Sequence, residues 1–326
     1  MPKLTMVQAI NLGLDQEMQR DDRVIVLGED VGRDGGVFRV TEGLLDKYGE
    51  ARVIDTPLAE SAILGASIGM ALAGLRPIAE MQFCGFSYLM LPQLEGHASR
   101  FRARSQGQLT CPLVVRVPYG GGVRALEPHS AARAPLYAHL PGGKVGVPSG
   151  PRNARALIVA AVRDPDPVVF LEPKRSYRAF REEVPEEEEV MPIGSAIVAR
   201  PGTDLTAISW GAMMRPTLQA VEELQKQRKA SVELIDLLTL APLDVETIGA
   251  SVAKTGRCVV VQESPRSFGP AAELIAVIND RALLQLEAPV KRVTGYDVVT
   301  PYFGREHQYL ASPARIRRAL EETLDF

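Results

Sequence analysis

Histidine and cysteine are scarce in this chain. The four histidines (His97, His129, His139, His307) form no HExxH pair, and the three cysteines (Cys84, Cys111, Cys258) stand far apart without metal-ligand spacing. An odd, scattered set of cysteines supports no disulfide framework, so a reducing cytoplasm is the expected compartment. The one uncharged apolar run, Ala62 to Leu75, is too short to span a bilayer and is stopped by Arg76-Pro77, so no membrane span is expected. No signal peptide is expected either, because Met1-Pro-Lys-Leu-Thr leads straight into an amphipathic helix. A net charge of −3 leaves no basic surplus for nucleic acid or an anionic membrane surface. Also missing are a Walker-type loop and a GxGxxG between a strand and a helix. There is no Gly-Asp-Gly followed some distance on by Asn, so one way of seating a magnesium diphosphate is absent.

What is present is a long α/β pattern. A chain of 326 residues with 46% hydrophobic and 24% charged residues suits two domains of ordinary size. Thr5 and Gln8 have the spacing of a capping box, which predicts a helix from about Met6 to Met18. Strands are predicted at Val24–Leu27, Arg52–Asp55, Pro77–Phe83, Pro112–Val117 and Pro167–Leu171, with helices between them. Gly85–Arg104 reads as a helix bent near Pro92. Tyr119–Gly150 is dense in Gly and Pro, a long loop of the kind that carries function. Glu182–Glu189 holds six glutamates in eight positions, whose mutual repulsion favours an exposed, extended connector. The expected division is therefore 1–181, an acidic linker 182–192, and 193–326. Strands at Leu205–Ser209, Val232–Asp236, Cys258–Val261 and Val290–Val293 again alternate with helices. Alternation of this kind predicts mostly parallel sheets flanked by helices in both domains.

Parallel α/β sheets hold ligands beyond the carboxyl ends of their strands. Glu29, the segment Asp55–Glu60 and Gln82-Phe83 all fall at such ends, and a loop carrying His129 follows another. Glu60 sits at the mouth of a nearly all-apolar helix. It is either a first-turn carboxylate favoured by the helix dipole or a carboxylate held at the sheet edge to handle a proton. Glu29 reads equally as a solvated loop acid, Phe83 as core, and His129 as a turn-stabilising group.

Several stretches resemble one family. They are Gly28-Glu-Asp-Val-Gly32, Asp55-Thr-Pro-Leu-Ala-Glu60, Glu80-Met-Gln-Phe83, Tyr119-Gly-Gly-Gly122, His129-Ser130, Phe170-Leu-Glu-Pro-Lys174, Ile235 to Asp244 and Val261-Gln-Glu-Ser264. The family is the beta subunit of the thiamine-diphosphate-dependent dehydrogenase of 2-oxo acid dehydrogenase complexes, and the likeness runs from end to end. It implies a transketolase-like pyrimidine-binding domain followed by a transketolase C-terminal-like domain. It implies an alpha subunit that completes a two-alpha, two-beta heterotetramer and supplies most of the Mg2+ and diphosphate grip. It also implies docking on a dihydrolipoyl acyltransferase core. Branched-chain 2-oxo acids come first among the implied substrates and pyruvate next.

By motif, Glu60 would hydrogen-bond the aminopyrimidine and favour the imino tautomer that takes the thiazolium proton. Glu29, Leu58, Ala59, Gln82, Phe83 and Phe86 would line the cofactor, and Phe83, Cys84, Gly85, Phe86 and His129 the substrate. His129 would act as acid/base or orienting group in acyl transfer to lipoyl sulfur. Backbone carbonyls of Leu113, Val114, Ala161, Asp164 and Asp166 would be placed for a K+ ion. The chain departs from the pattern at Pro128 and Ala131, which flank His129-Ser130, and at Gly143 and Gly146. Two other readings remain open on these residues: an acetoin dehydrogenase beta subunit, and a non-catalytic assembly subunit.

Overall fold

The computed structural model describes residues 1–326. Contacts divide the chain into two compact units, one of residues 1–119 and 136–193, the other of 120–135 and 194–326. The stretch 120–135 thus packs with the C-terminal unit although it lies inside the N-terminal half of the sequence.

The first unit opens on α1 (Met6–Arg20), capped as its sequence predicts: Thr5 Oγ1 accepts from the Gln8 amide, and Gln8 Oε1 from the Thr5 amide at 3.0 Å. Then come β1 (Val24–Gly28), β2 (Val53–Asp55), α2 (Glu60–Leu72), β3 (Arg76–Glu80), β4 (Val114–Tyr119), β5 (Lys144–Gly146), α3 (Pro151–Arg163) and β6 (Val168–Pro173). These six strands lie in the order β5-β6-β4-β3-β1-β2, all parallel. Their mainly apolar, two-sided burial is that of a sheet covered on both faces. Helices α1 and α3 pack together over it, with Met6, Ile10, Leu14, Leu157 and Ile158 in the core. They approach closely at Gly13, where a Cβ would stand 2.5 Å from Ile158 Cγ2.

Three local expectations are corrected. The Gly85–Arg104 segment is a chain of short turns, Ser87–Met90, Leu91–Gly96, Ala98–Arg100 and Phe101–Arg104, because His97 leaves helical geometry at φ −131°, ψ −70°. β5 was hidden among the glycines of the long loop, and an edge strand at Ile197–Arg200 was not anticipated. The glutamate run is largely exposed and without a helix, as expected, but it is also tied down. Glu182–Glu183 pairs with Lys3–Leu4, Glu188 and Glu189 meet Arg163 and Arg152 at 2.5 and 2.8 Å, and the Glu187 carbonyl accepts from Arg155 at 2.6 Å. Neighbouring arginines cancel the repulsion that the glutamates have on their own.

The second unit comprises β7 (Ile197–Arg200), β8 (Leu205–Ser209), α4 (Met214–Arg228), β9 (Val232–Asp236), α5 (Val245–Thr255), β10 (Cys258–Val261), α6 (Pro270–Ala282), β11 (Lys291–Val293) and α7 (Pro313–Leu324). Its sheet runs β11-β10-β8-β9-β7, parallel except for the antiparallel edge strand β7. Asp244 caps α5 and Ser312 caps α7, each through its side chain. No helix is long and apolar enough to cross a membrane.

Candidate active site

The carboxyl ends of β1, β2 and β3 lie level, since Gly28 pairs with both Asp55 and Glu80. The segments leaving those ends carry the acids singled out in the sequence. Asp55 pins the loop after β1, accepting from the Gly32 amide at 2.6 Å and the Arg33 amide at 3.1 Å. That holds Glu29 over the edge. Pro57 breaks the chain after β2, and α2 starts on Glu60 itself, two residues before the apolar run.

Glu60 is 2% exposed and Glu29 is 6% exposed. Burial raises the Glu29 carboxyl above its usual range, the nearby Glu60 charge and then Asp30 push the same way, and the Ala59 amide donates to it in partial compensation. Oε1 of Glu29 and Oε2 of Glu60 are buried with no partner in the chain. Orphaned buried carboxyl oxygens are costly. A heterocycle with ring nitrogens and an exocyclic amine fits such oxygens.

The third strand end carries the aromatic wall. Gln82 donates to Asp30 Oδ2 at 2.9 Å, so it ties its loop to the one bearing Glu29. Phe83 meets Phe38 and Phe86 edge-on, with centroids 5.4 and 6.2 Å apart. The Cys84 amide donates to the Pro118 carbonyl at 3.0 Å, fixing the turn through Gly85 to β4. Around this edge Leu58 is 75% exposed, with Phe86, Tyr88 and Leu89 also exposed. The structure thus brings Glu29, Leu58, Ala59, Glu60, Gln82, Phe83, Cys84, Gly85 and Phe86 onto one edge of the first unit.

Behind it lies an ionic group that sequence reasoning missed. Arg116 on β4, fully buried, bonds Glu172 of β6 at 2.6 and 2.9 Å and also Glu80 of β3, while Tyr177 donates to Glu172 at 2.5 Å. Burial opposes the Arg116 charge, but Glu172 and Glu80 outweigh it and hold the guanidinium above its usual value. Burial likewise raises the Glu80 carboxyl, with Arg116 pulling down and Glu172 pushing up. Tyr177 also packs on Phe38, centroids 5.2 Å apart, and Lys174 Nζ lies 5.5 Å from the Phe83 ring centre. The ionic group thereby braces the aromatic wall.

His129 belongs to the second unit. It sits on a four-residue helical turn, Glu127–Ser130, where its amide donates to the Leu126 carbonyl at 3.0 Å. Two buried acids of that unit hold the loop: Glu263 accepts from the Gly121 amide at 2.5 Å, and Glu306 from the Gly122 and Arg124 amides at 2.7 and 3.2 Å. A Cβ on Gly121 would come within 2.8 Å of Glu306, so this glycine lets the backbone reach its acceptors. Ser264 Oγ adds a bond to the Ala132 carbonyl at 3.2 Å.

The expected K+ positions gather at one corner, where α3 ends and β4 begins. Leu113 and Val114 lie at the start of β4, and Ala161 lies in the last turn of α3. Asp164 and Asp166 follow, with Asp164 on Lys144 at 2.7 Å and Asp166 on Arg102 at 2.8 Å. The Val162 and Asp164 carbonyls accept from Arg76 at 2.7 and 3.3 Å.

Comparisons with known proteins agree with this layout. The family described as "Transketolase, pyrimidine binding domain" matches residues 2–179, and "Transketolase, C-terminal domain" matches 194–316. The pyruvate dehydrogenase E1 component subunit beta of Acholeplasma laidlawii is 52% identical over 313 residues, covering 96% of this chain and 95% of that protein. The subunit of the same name from Bacillus subtilis (strain 168) is 48% identical over the full length of both. Among solved structures, a split-gene transketolase in an inactive beta4 tetramer superposes with TM-score 0.77 over 99% of both chains at 20% identity, which speaks to the fold. The chain belongs to the family of beta subunits of thiamine-diphosphate-dependent 2-oxo acid dehydrogenases, built from the two transketolase-type domains.

Proposed function

We propose that this chain is the beta subunit of a pyruvate dehydrogenase, catalytic once joined to an alpha subunit in a two-alpha, two-beta assembly. One observation carries the reading: the buried, unpartnered carboxyl oxygens of Glu60 and Glu29 at a strand-end edge rimmed by exposed Leu58 and Phe86. Polar atoms in that state need donors from outside, and an exposed apolar rim needs a cover. An aminopyrimidine meets the first need and an alpha subunit the second. Thiamine diphosphate, when bound, supplies the electron sink for decarboxylation.

This chain's part is to hold the pyrimidine end. Glu60 orients it and exchanges a proton with its ring nitrogen. Glu29, Leu58, Ala59, Gln82 and Phe86 wall it, and Phe83 backs it. Cys84 and Gly85 extend that wall toward the substrate. His129 serves acyl transfer to a lipoyl group of the acyltransferase core, on a loop fixed by Glu263 and Glu306. Mg2+ and the diphosphate fall to the partner, since the sequence lacks the Gly-Asp-Gly arrangement. A K+ ion at the Leu113–Asp166 corner would brace β4 against α3. The cytoplasm suits three buried thiols outside any disulfide.

Pyruvate replaces branched-chain acids as the first substrate because the relatives at 48–52% identity carry the pyruvate name. The test is co-expression with the alpha chain and an assay of acyl transfer to a lipoyl acceptor on pyruvate, branched 2-oxo acids and acetoin, with CO2 release followed for the 2-oxo acids. Preference for pyruvate supports the reading. Preference for a branched acid or acetoin moves it to those enzymes, and no turnover with thiamine diphosphate and Mg2+ leaves a scaffold.

A further inference from the structure

We propose that a second pocket in the first unit binds a small organic phosphate monoester. The cavity, about 580 Å³, shares no lining residue with the carboxylate edge. Arg39, Arg178 and Arg181 line it, and Glu42 is its one acid, leaving two net positive charges. Elsewhere the chain spends many arginines on carboxylates, as Arg116, Arg152, Arg163 and Arg228 show. These three have no ion-pair partner in the chain.

Two of them are aimed by backbone and amide oxygens. Arg178 donates to the Phe38 carbonyl at 2.8 Å; Arg181 donates to the Lys3 carbonyl at 3.1 Å and to Gln8 Oε1 at 2.8 Å. Each bond uses one guanidinium nitrogen and leaves the rest of the fork available. The Arg39 side chain makes no hydrogen bond within the chain, its amide donating to the Gly36 carbonyl at 3.0 Å, and it sits at φ +64°, a left-handed conformation that non-glycine residues seldom take. The first turn of the 15-residue helix α1, with Thr5 and Gln8, forms another wall, adding the positive end of its dipole. Its capping box already uses first-turn donors, so the arginines carry the recognition.

The chemistry selects the ligand. One carboxylate satisfies a single guanidinium fork, whereas a phosphate dianion offers oxygens to three. The volume exceeds what an inorganic ion fills, and Val7 and Phe180 give an organic body something to lie against. The binding claim stands on these residues alone and does not depend on the proposed dehydrogenase activity.

The test is calorimetry on the full chain with ribose 5-phosphate, inorganic phosphate and ribose as probes. Ribose 5-phosphate should bind one-to-one, inorganic phosphate more weakly, ribose not at all, and higher salt should weaken binding. Arg39→Asn keeps a residue at ease with left-handed φ, breaks no bond within the chain, and should weaken ribose 5-phosphate about tenfold. Arg33→Gln, at an exposed arginine outside the pocket, should leave it unchanged. The proposal is overturned if neither phosphate probe binds saturably, if ribose binds as well as its phosphate, or if an Arg39→Asn chain with an unaltered melting profile binds with full affinity.

Discussion

Arg116→Met is the perturbation that best isolates the support behind the site. Methionine keeps much of the arginine volume and removes the charge, stranding Glu80 and Glu172 in the interior. Both are essentially unexposed, so water offers no relief. Breaking a buried pair by removing one partner costs about 3–5 kcal/mol, and two stranded carboxylates place this case at the top of that range near neutral pH. Tyr177→Phe removes one hydrogen bond to a charged group and should cost about 1.5–3 kcal/mol.

The pH dependence gives a second, independent signature. Glu80 in the folded chain holds its proton above the ordinary value of 4.5. Between that value and the folded one, the folded chain binds more protons than the unfolded chain. The contribution of Glu80 is therefore complete at low pH and is lost as pH rises. Without Arg116 nothing pulls the folded value down, so the Arg116→Met penalty should grow from about pH 5 to about pH 8. Urea unfolding followed by circular dichroism reads both effects. Trp210, the sole tryptophan, reports on the second unit separately. A cost below about 1 kcal/mol, equal at both pH values, would refute the ionic group.

Other outcomes follow from the same geometry. Glu29→Gln removes a carboxyl raised by burial and by Glu60, so its stability relative to wild type should improve as pH climbs above 4.5; a pH-independent difference in urea midpoint contradicts that coupling. Glu306→Ala orphans the Gly122 and Arg124 amides, at about 1–3 kcal/mol, and should speed hydrogen exchange in 120–132 and slow lipoyl acylation more than decarboxylation. Unchanged exchange there would remove Glu306 from the loop's support. Replacing Na+ by K+ at tenfold its dissociation constant should add about 1.4 kcal/mol of stability. Equal melting in the two salts would eliminate the K+ corner.

Much of the fold was written in periodicity. Leu205–Ser209, Val232–Asp236 and Cys258–Val261 fall where apolar runs placed them, because buried parallel strands need continuous apolar residues. The capping box of α1 was equally plain. Lys144–Gly146 was not, since a three-residue strand between glycines has no period to read. Glu60 and Glu29 were legible as acids at strand ends, but their burial depends on contacts distant in sequence. Arg116, Glu80 and Glu172 do carry a signal in the sequence: a charge inside or ending an apolar strand must find a partner indoors. Glu263 and Glu306 gave less warning, since a loop more than 140 positions earlier in the chain supplies the donors they accept.

The most direct measurement is CO2 release from pyruvate by the chain assembled with its alpha partner and thiamine diphosphate, comparing wild type with Glu60→Gln. Glutamine fills the same buried space but cannot exchange the proton. Assembly should survive while turnover falls about 10²–10⁴-fold, the range for a positioned acid/base. An assembled Glu60→Gln enzyme that turns over at the wild-type rate would contradict the role given to this carboxylate.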